Sequence, residues 1–332
     1  MIYKTGFFLD DKEIEIIELK NNEVILKLLN IGASIKELYT RDHFGIFENI
    51  VLGFENLYDY IDNDAYFGAT VGPNAGRIEN SKMLINDYEY TLENTYKKVS
   101  NLHSGSASFA FKVFDYKEFD NKVEFTYHHN DSLGGFPGNI CVKVTYTLNK
   151  NILKIEYEGT SDKDTVLNIT NHSYFNLSGN AKDTVLNDKL YVNASKYGIV
   201  DKNMNLINFE DVSDTPFDFR EEKVLNQPIK DLRKMRLVTK GLDNTFNLDG
   251  NHAVKYSSVN GRILNVYTSY PNIVIYSGNF PCKQNLLNGN KMKMHDGICF
   301  ECQYQPNSIN KDQKALLKKD TKYYNYIEYH FN

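Results

Sequence analysis

The sequence predicts an all-β fold, a large antiparallel β-sandwich with few short helices, and three observations support this prediction. Apolar and polar residues alternate with a period of two over many short segments, as in strands with one face in water. Turn residues separate these segments at short intervals. Helical periodicity is limited to two short stretches, 55–61 and 227–236. We therefore expect meandering antiparallel sheets packed face to face.

The strand segments can be located along the chain from this alternation. In the clearest one, Val123, Phe125 and Tyr127 point to one side and polar residues point to the other. Strands are predicted by the same rule at 13–19, 23–29, 142–148, 155–157, 263–268, 273–276 and 323–331. Residues 20–22 and 149–151 are predicted hairpin loops, and the polar stretch 201–215 is interpreted as a long surface loop.

The composition is that of a folded domain. Of the 332 residues, 41% are apolar and 24% are charged, which excludes a disordered or collagen-like chain. No linker, composition break or internal repeat divides the sequence, so residues 1–332 are predicted to form a single domain. The 24 Tyr and 20 Phe residues are interpreted mostly as core rings.

Charge and cysteine content exclude several classes of function. The 38 Lys and Arg residues against 43 Asp and Glu give a net charge of −5 without blocks of like charge, so no nucleic-acid partner is expected. The chain has no run of 18 apolar residues and no apolar signal region, which predicts a cytoplasmic protein without a membrane partner. The four cysteines are predicted free thiols, and Cys299-x-x-Cys302 lacks the second pair that a structural zinc site needs.

Four segments concentrate polar, titratable and glycine residues where strands should end, and these are the candidate site. They are 67–78 with Arg77, 100–105 with His103, 168–179 with His172, and 297–306 with Glu301. The third, if it is a strand, places four polar or aromatic side chains on one face: Asn168, Thr170, His172 and Tyr174. Taken singly, each segment has a purely structural explanation, such as a tight turn or a hydrogen-bonded sheet edge.

Taken together, the segments offer groups for proton transfer. Glu301, flanked by apolar and sulfur side chains, is a candidate base whose pKa burial would raise, and His172 is a candidate acid. Arg77, His103 and Asp243 could orient a substrate. The sequence contains no nucleophile elbow, dinucleotide fingerprint or HExxH motif, so chemistry without a cofactor or metal is predicted. A glycosidase using Glu301 and Asp243 stays open, although the histidine would then have no role.

The same blocks resemble a known family. In order along the chain they are Gly68-Ala69-Thr70-Val71-Gly72, Ala75-Gly76-Arg77-Ile78, Asn101-Leu102-His103, Gly135-Phe136-Pro137-Gly138, Asn171-His172-Ser173-Tyr174-Phe175-Asn176-Leu177-Ser178-Gly179, Thr215-Pro216-Phe217-Asp218-Phe219, Gly241-Leu242-Asp243, Tyr276-Ser277-Gly278-Asn279-Phe280 and Glu301-Cys302-Gln303. They look like those of the aldose 1-epimerase family, also called galactose mutarotases. The block that begins at Asn171 is highly specific, and the others are strong as a set.

The resemblance implies a galactose mutarotase-like supersandwich that interconverts the α and β anomers of a free hexose, galactose or glucose. By the same resemblance, Glu301 is the general base that removes the C1 hydroxyl proton, and His172 is the acid that protonates the ring oxygen. A charged His172 would need an ionised Glu301 to hold its pKa near or above about 6.5. The residues that the resemblance assigns to the sugar hydroxyls are Arg77, His103, Tyr174 and Asp243.

Some positions depart from the family pattern and leave the sugar preference open. The first block has Gly72-Pro73 and Gly76-Arg77 where relatives often have other pairs, and Val274 stands where many have Gln. Residues 205–208 replace a usual loop and are interpreted as surface variation. The remaining alternatives are an epimerase for a different or phosphorylated sugar and a non-catalytic sugar-binding protein. We expect a monomer or homodimer.

Overall fold

A computed structural model describes residues 1–235 and 239–332 of the chain. In the first half, the strands are β1 Ile2–Leu9, β2 Lys12–Lys20, β3 Val24–Leu29, β4 Ser34–Arg41, β5 Phe47–Asn49, β6 Thr70–Val71, β7 Arg77–Glu79, β8 Lys82–Ile85, β9 Tyr88–Thr91, β10 Ser100–Leu102, β11 Asp115–Glu118, β12 Lys122–His129, β13 Ile140–Asn149 and β14 Ile152–Ser161. In the second half, they are β15 Thr165–Val166, β16 Thr170–Asn171, β17 Tyr174–Phe175, β18 Lys189–Val192, β19 Ala194–Val200, β20 Leu206–Asp211, β21 Lys223–Val224, β22 Asp243–Leu248, β23 His252–Ser257, β24 Ile263–Thr268, β25 Asn272–Tyr276, β26 Ile298–Gln303, β27 Leu316–Leu317 and β28 Tyr323–Phe331.

Three large antiparallel sheets dominate the architecture. The nine-stranded sheet has the order β11-β12-β13-β14-β28-β24-β23-β18-β21, and the six-stranded sheet has the order β17-β26-β25-β22-β19-β20. Strands β1 to β5 form a five-stranded sheet in chain order. One continuous core joins all three, because it contains Leu26 of β3, Val144 of β13 and Phe300 of β26. The predicted all-β, antiparallel fold is thereby confirmed.

Alternating burial explains why these residues form strands. In β14, residues 153, 155, 157 and 159 are buried and the intervening side chains lie closer to solvent. Each fully buried Val, Leu, Ile or Phe stabilises the fold by about 1.5–3 kcal/mol relative to an exposed one. Both predicted hairpins form: Asn21 Oδ1 accepts hydrogen bonds from Glu23 N at 2.8 Å and Val24 N at 2.9 Å, and Lys150 adopts a φ of 51° between β13 and β14.

Helices are few in the described residues, as predicted. The α-helices are α1 Asn226–Lys234 and α2 Ser308–Lys311, and the 3₁₀ helices are Leu57–Tyr60, Gly105–Ala107, Phe109–Phe111, Leu133–Gly135 and Val185–Asn187. The predicted stretch 55–61 is thus one 3₁₀ helix, and 227–236 is α1, except that Arg236 lies outside the described residues. None of the helices in 1–235 and 239–332 has both the length and the apolar character that crossing a membrane requires.

Two local predictions are wrong. The stretch 201–215 is not all surface loop, because β20 pairs with β19 at the edge of the six-stranded sheet and Leu206 is buried. The segment 168–174 is not one strand either: β16 ends at Asn171, and β17 begins at Tyr174. In both cases, pairing with distant segments overrides the local pattern.

Candidate active site

One cavity of about 400 Å³ brings together all six residues that the sequence singled out: Arg77, His103, His172, Tyr174, Asp243 and Glu301. Other lining residues include Asp64, Tyr66, Tyr96, Val200, Met204, Leu206, Thr245, Val274, Tyr276, Phe280, Cys282 and Gln303. The volume falls in the range typical of small-molecule sites. One wall is rich in titratable groups, and much of the rest is apolar.

The six-stranded sheet carries two of the carboxyl groups that line the cavity, those of Glu301 and Asp243. Glu301 lies in β26 and pairs across the sheet with Val274 of β25, which in turn pairs with Thr245 of β22. Asp243 is the first residue of β22. Because side chains on one face repeat every second residue, these neighbouring strands present Glu301, Val274 and Asp243 to the same cavity.

His172 faces Glu301 directly. Its Nε2 atom lies 3.5 Å from Glu301 Oε1, and both side chains are almost wholly buried. The backbone of His172 is held on both sides, because its N–H donates to Ala69 O at 2.9 Å and its carbonyl accepts from Gly68 N at 3.1 Å. Asn171 Nδ2 donates to Gly68 O at 2.8 Å, which fixes the same turn. The break between β16 and β17 therefore serves to place the imidazole.

A cluster of rings surrounds the two histidines. The Tyr66 ring lies 5.0 Å from that of His103 and 5.7 Å from that of His172, and the two imidazoles are 5.3 Å apart at 82°. His103 Nδ1 accepts a hydrogen bond from Gly76 N at 3.2 Å, so its proton belongs on Nε2. Burial, followed by His172 and Arg77, lowers the pKa of His103 well below its ordinary value. His103 is therefore a neutral donor in the cavity.

Burial sets the protonation of the central pair. It raises the pKa of Glu301 to about 8, with a further contribution from the Asp243 charge and an opposing one from Arg77. Burial also lowers the pKa of His172 to about 4. The prediction that Glu301 would hold the pKa of His172 near or above 6.5 is wrong, because desolvation disfavours both charges. Between about pH 4 and pH 8, the Glu301 carboxyl is therefore protonated and the His172 imidazole is neutral.

Arg77 supplies a positive charge at the rim. Its guanidinium lies 4.4 Å from the centre of the Tyr96 ring, which positions it by a cation–π contact. Its charge lowers the pKa of Glu301. Burial raises the pKa of Asp243, and the charge of Arg77 acts against that increase. Arg77 thus favours the ionised form of both carboxyl groups.

Two groups of side chains bear on metal binding. One donor atom each from His103, His172 and Glu301 lies within 4.8 Å of the other two, and zinc accepts such donors. All four cysteines are free thiols, in agreement with the prediction, and Cys299 Sγ lies 3.8 Å from His172 Nδ1.

The sequence reasoning missed several lining residues. Gln303 lies two residues after Glu301 on β26, so the period-two rule could have placed it on the same face. Tyr66 directly precedes the segment 67–78, and this position in the sequence could have indicated that it lies near the site. Met204 and Leu206 had no such signal, because 201–215 was interpreted as a surface loop rather than as part of the sheet that borders the cavity.

Comparison with known proteins finds similarity over most of the chain. A family model described as aldose 1-epimerase matches residues 15–330. Galactose mutarotase from Mus musculus is 31% identical over 319 residues, which cover 93% of this chain and 92% of the relative. Aldose 1-epimerase from Haemophilus influenzae is 35% identical over 286 residues, which cover 82% of this chain and 83% of the relative.

Solved structures share the fold at a similar level of identity. Galactose 1-epimerase from Lactobacillus acidophilus superimposes with a TM-score of 0.89 and 28% identity, covering 100% of this chain and 98% of that structure. A GalM/aldose epimerase homologue from C. elegans gives a TM-score of 0.88 and 29% identity, covering 96% and 99%. The similarity therefore extends over nearly the entire chain in both sequence and architecture.

Proposed function

Because this chain belongs to the aldose 1-epimerase family, we propose that it interconverts the α and β anomers of a free hexose, galactose or glucose. The observation that carries this proposal is the contact between His172 Nε2 and Glu301 Oε1, 3.5 Å apart at the cavity wall. A base and an acid that both reach one pyranose are what ring opening needs. The relatives named galactose mutarotase and aldose 1-epimerase support the same reaction.

The first step is to place the proton of the pair. In the free site burial favours a neutral Glu301 and a neutral His172. Catalysis in the proposed direction requires a protonated His172 and an ionised Glu301. The proton must therefore move from the Glu301 carboxyl to His172 Nε2, across the 3.5 Å contact between them. The positive charge of Arg77 favours the ionised carboxylate that this transfer leaves behind.

Ring opening then needs only two proton movements. Glu301 takes the proton of the C1 hydroxyl, the O–H electron pair forms the C1 carbonyl, and the C1–O5 bond breaks. His172 Nε2 gives its proton to O5 as that oxygen receives the bonding pair. Rotation about C1–C2 and reclosure with the roles exchanged give the other anomer, so the enzyme ends each turnover with the proton it started with.

The other four residues are proposed to hold the sugar. His103 offers Nε2–H as a donor, Arg77 offers guanidinium donors, and Asp243 offers carboxyl oxygens to ring hydroxyls. Tyr174 packs 5.3 Å from the His172 ring, and burial raises the pKa of its phenol well above the ordinary value. Tyr174 is therefore a neutral donor beside the acid.

Optical rotation of freshly dissolved α-galactose and α-glucose tests the proposal. Wild-type protein should accelerate mutarotation, and His172→Ala should lower kcat/KM by about 10²–10⁴, the usual effect of a positioned acid. A matched control is His330→Ala, because His330 Nε2 also contacts a glutamate, Glu328 Oε2 at 3.0 Å, outside the cavity. Full activity of His172→Ala, or a wild-type protein that turns over hexose 6-phosphates and not hexoses, would refute it.

The organisation of the protein is part of the same proposal. We propose that residues 1–332 form one domain that acts in the cytoplasm as a monomer or homodimer. The core shared by the three large sheets supports a single domain. One cooperative unfolding transition and a light-scattering mass of one or two chains are the expected results; two separate transitions would contradict the single domain.

A further inference from the structure

Gln303 carries a buried side-chain amide that faces the cavity. Its relative exposure is 0%, and it lines the same cavity as Glu301. Neither Oε1 nor Nε2 has a hydrogen-bond partner within residues 1–235 and 239–332. A primary amide offers two donors and a two-fold acceptor, so its whole hydrogen-bonding capacity is directed at whatever occupies the cavity.

Such an amide is energetically costly unless something satisfies it. Leaving a buried polar group unsatisfied costs about 1–3 kcal/mol, and native proteins rarely tolerate it without a functional reason. A methionine of the same length would fill the space without this cost. The glutamine is therefore explained by a hydroxyl-bearing occupant of the cavity rather than by the packing of the fold.

The surroundings of Gln303 hold its amide in place. Asn168 clamps the next residue, because its Oδ1 accepts from Tyr304 N at 2.9 Å and its Nδ2 donates to Tyr304 O at 3.3 Å. A Cβ added at Gly76 would lie 3.2 Å from Gln303 Nε2, so the glycine backbone already packs closely against the amide. The side chain is thus confined between β26 and the loop before Arg77.

The position along β26 determines which part of a sugar the amide can reach. Gln303 follows Glu301 by two residues on the same face, which separates their Cα atoms by about 7 Å. If Glu301 acts at C1, Gln303 lies beside a different part of the ring. We propose that Gln303 binds one ring hydroxyl other than that on C1 and thereby sets which hexoses are accepted, an inference that rests on the proposed function.

The chemistry of the amide defines the ligand class. An amide can donate to and accept from a neutral hydroxyl at once, and a site built in this way rejects analogues that lack the hydroxyl. The expected ligand is therefore a neutral polyol ring with a free hydroxyl at the contacted carbon. A ring that is deoxy at that carbon should bind more weakly.

The test compares Gln303→Met with a panel of 2-, 3-, 4- and 6-deoxyhexoses. With the parent hexose, the variant should lose about 10-fold or more in kcat/KM, consistent with the usual value of a buried hydrogen bond. For one deoxyhexose, kcat/KM should already be low with the wild type and should not fall further with the variant, because the same contact is missing in both cases. The free variant should unfold at the same or a higher urea concentration than the wild type.

Gln305→Met is the matched control, because Gln305 lies two residues further along and is not among the cavity-lining residues that the structure describes. It should keep wild-type kinetics. Three results would overturn the inference. Gln303→Met could lose the same factor in kcat/KM with every deoxyhexose, or lose nothing with any of them. The free variant could also be less stable than the wild type, with no recovery of stability in Gln303→Asn.

A binding measurement separates this inference from the proposed function. The rise in Tm that a hexose causes is recorded for both proteins without reference to turnover. If the wild type binds a hexose without mutarotating it and Gln303→Met abolishes that rise, the function fails and the inference stands. If wild type mutarotates and Gln303→Met matches it in rate and Tm rise, only the inference fails. A wild type that neither binds nor turns over a hexose overturns both.

Discussion

Glu48 and Glu301 are both buried, but only Glu48 is paired directly with full cations. Glu48 accepts from Arg262 Nη2 at 3.2 Å and also contacts Lys182 Nζ. Arg262, only 1% exposed, additionally donates to Leu177 O at 3.1 Å and Ile46 O at 2.9 Å, so both of its Nη atoms have acceptors, whereas its Nε has none among the residues described. This network joins β5 to the nine-stranded sheet and serves the fold.

Glu301 has a different environment. It lies 3.5 Å from an imidazole that burial keeps neutral, and Asp243 adds a second negative charge nearby. Burial therefore raises the pKa of Glu301 to about 8, a value suited to proton exchange near neutral pH. The comparison shows that hydrogen bonds and full cations make a buried carboxyl group structural, whereas their scarcity leaves it available for chemistry.

The largest expected effect is on activity. Glu301→Gln removes the base while keeping the shape of the side chain, so kcat/KM for mutarotation should fall by about 10²–10⁴ or more. Glu48→Gln should stay within a few-fold of wild type in the same polarimetric assay. Comparable losses in the two variants would abolish the distinction between the two glutamates.

The next largest effect is on the free energy of unfolding, and it is expected in the Glu48 variant. Glu48→Gln leaves Arg262 buried without its carboxylate, which should lower the free energy of unfolding by about 3–5 kcal/mol, as for other broken buried pairs. Urea unfolding at pH 7 measures this loss. A change below about 1 kcal/mol would show that the backbone acceptors alone satisfy the guanidinium.

The stability of Glu301→Gln should depend on pH. The pKa of Glu301 is raised on folding from 4.5 to about 8, so the native state holds a proton that the unfolded chain has released, and wild-type stability declines as pH rises through this range. Glutamine does not titrate. The variant should therefore gain on the order of 2–4 kcal/mol over wild type between pH 5 and pH 9. A constant difference in urea unfolding across those pH values would contradict the raised pKa.

The smallest effect is a shift of the pH profile. If the active form carries one proton on the pair, kcat/KM should fall below about pH 4, where His172 takes up a second proton, and above about pH 8, where Glu301 loses its own. Asp243→Asn removes a charge that raises the pKa of Glu301, so the alkaline limb should move to lower pH by up to about one unit. Flat activity from pH 4 to 9, or an alkaline limb that moves upward, would contradict this account.

The strand pattern was predictable because it is local. The predicted segments 263–268 and 323–331 coincide with β24 and β28, since side-chain alternation is a property of neighbouring residues. The edge strand β20 was missed because its polar sequence carries little alternation, and it becomes a strand only by pairing with β19. Local pattern identifies strands with one buried face and misses those stabilised mainly by a partner.

The identity of the candidate groups also came from the sequence, since Glu301, His172 and Arg77 lie in segments where polar, titratable and glycine residues are concentrated at the expected ends of strands. Only the tertiary structure decided that the imidazole lies 3.5 Å from the carboxyl group and that both lose their charge there. It also left the Gln303 amide without a protein partner among the residues described. The reason is physical: residue type is encoded locally, whereas desolvation and distance depend on segments that are remote in the chain and meet only in the folded sheets.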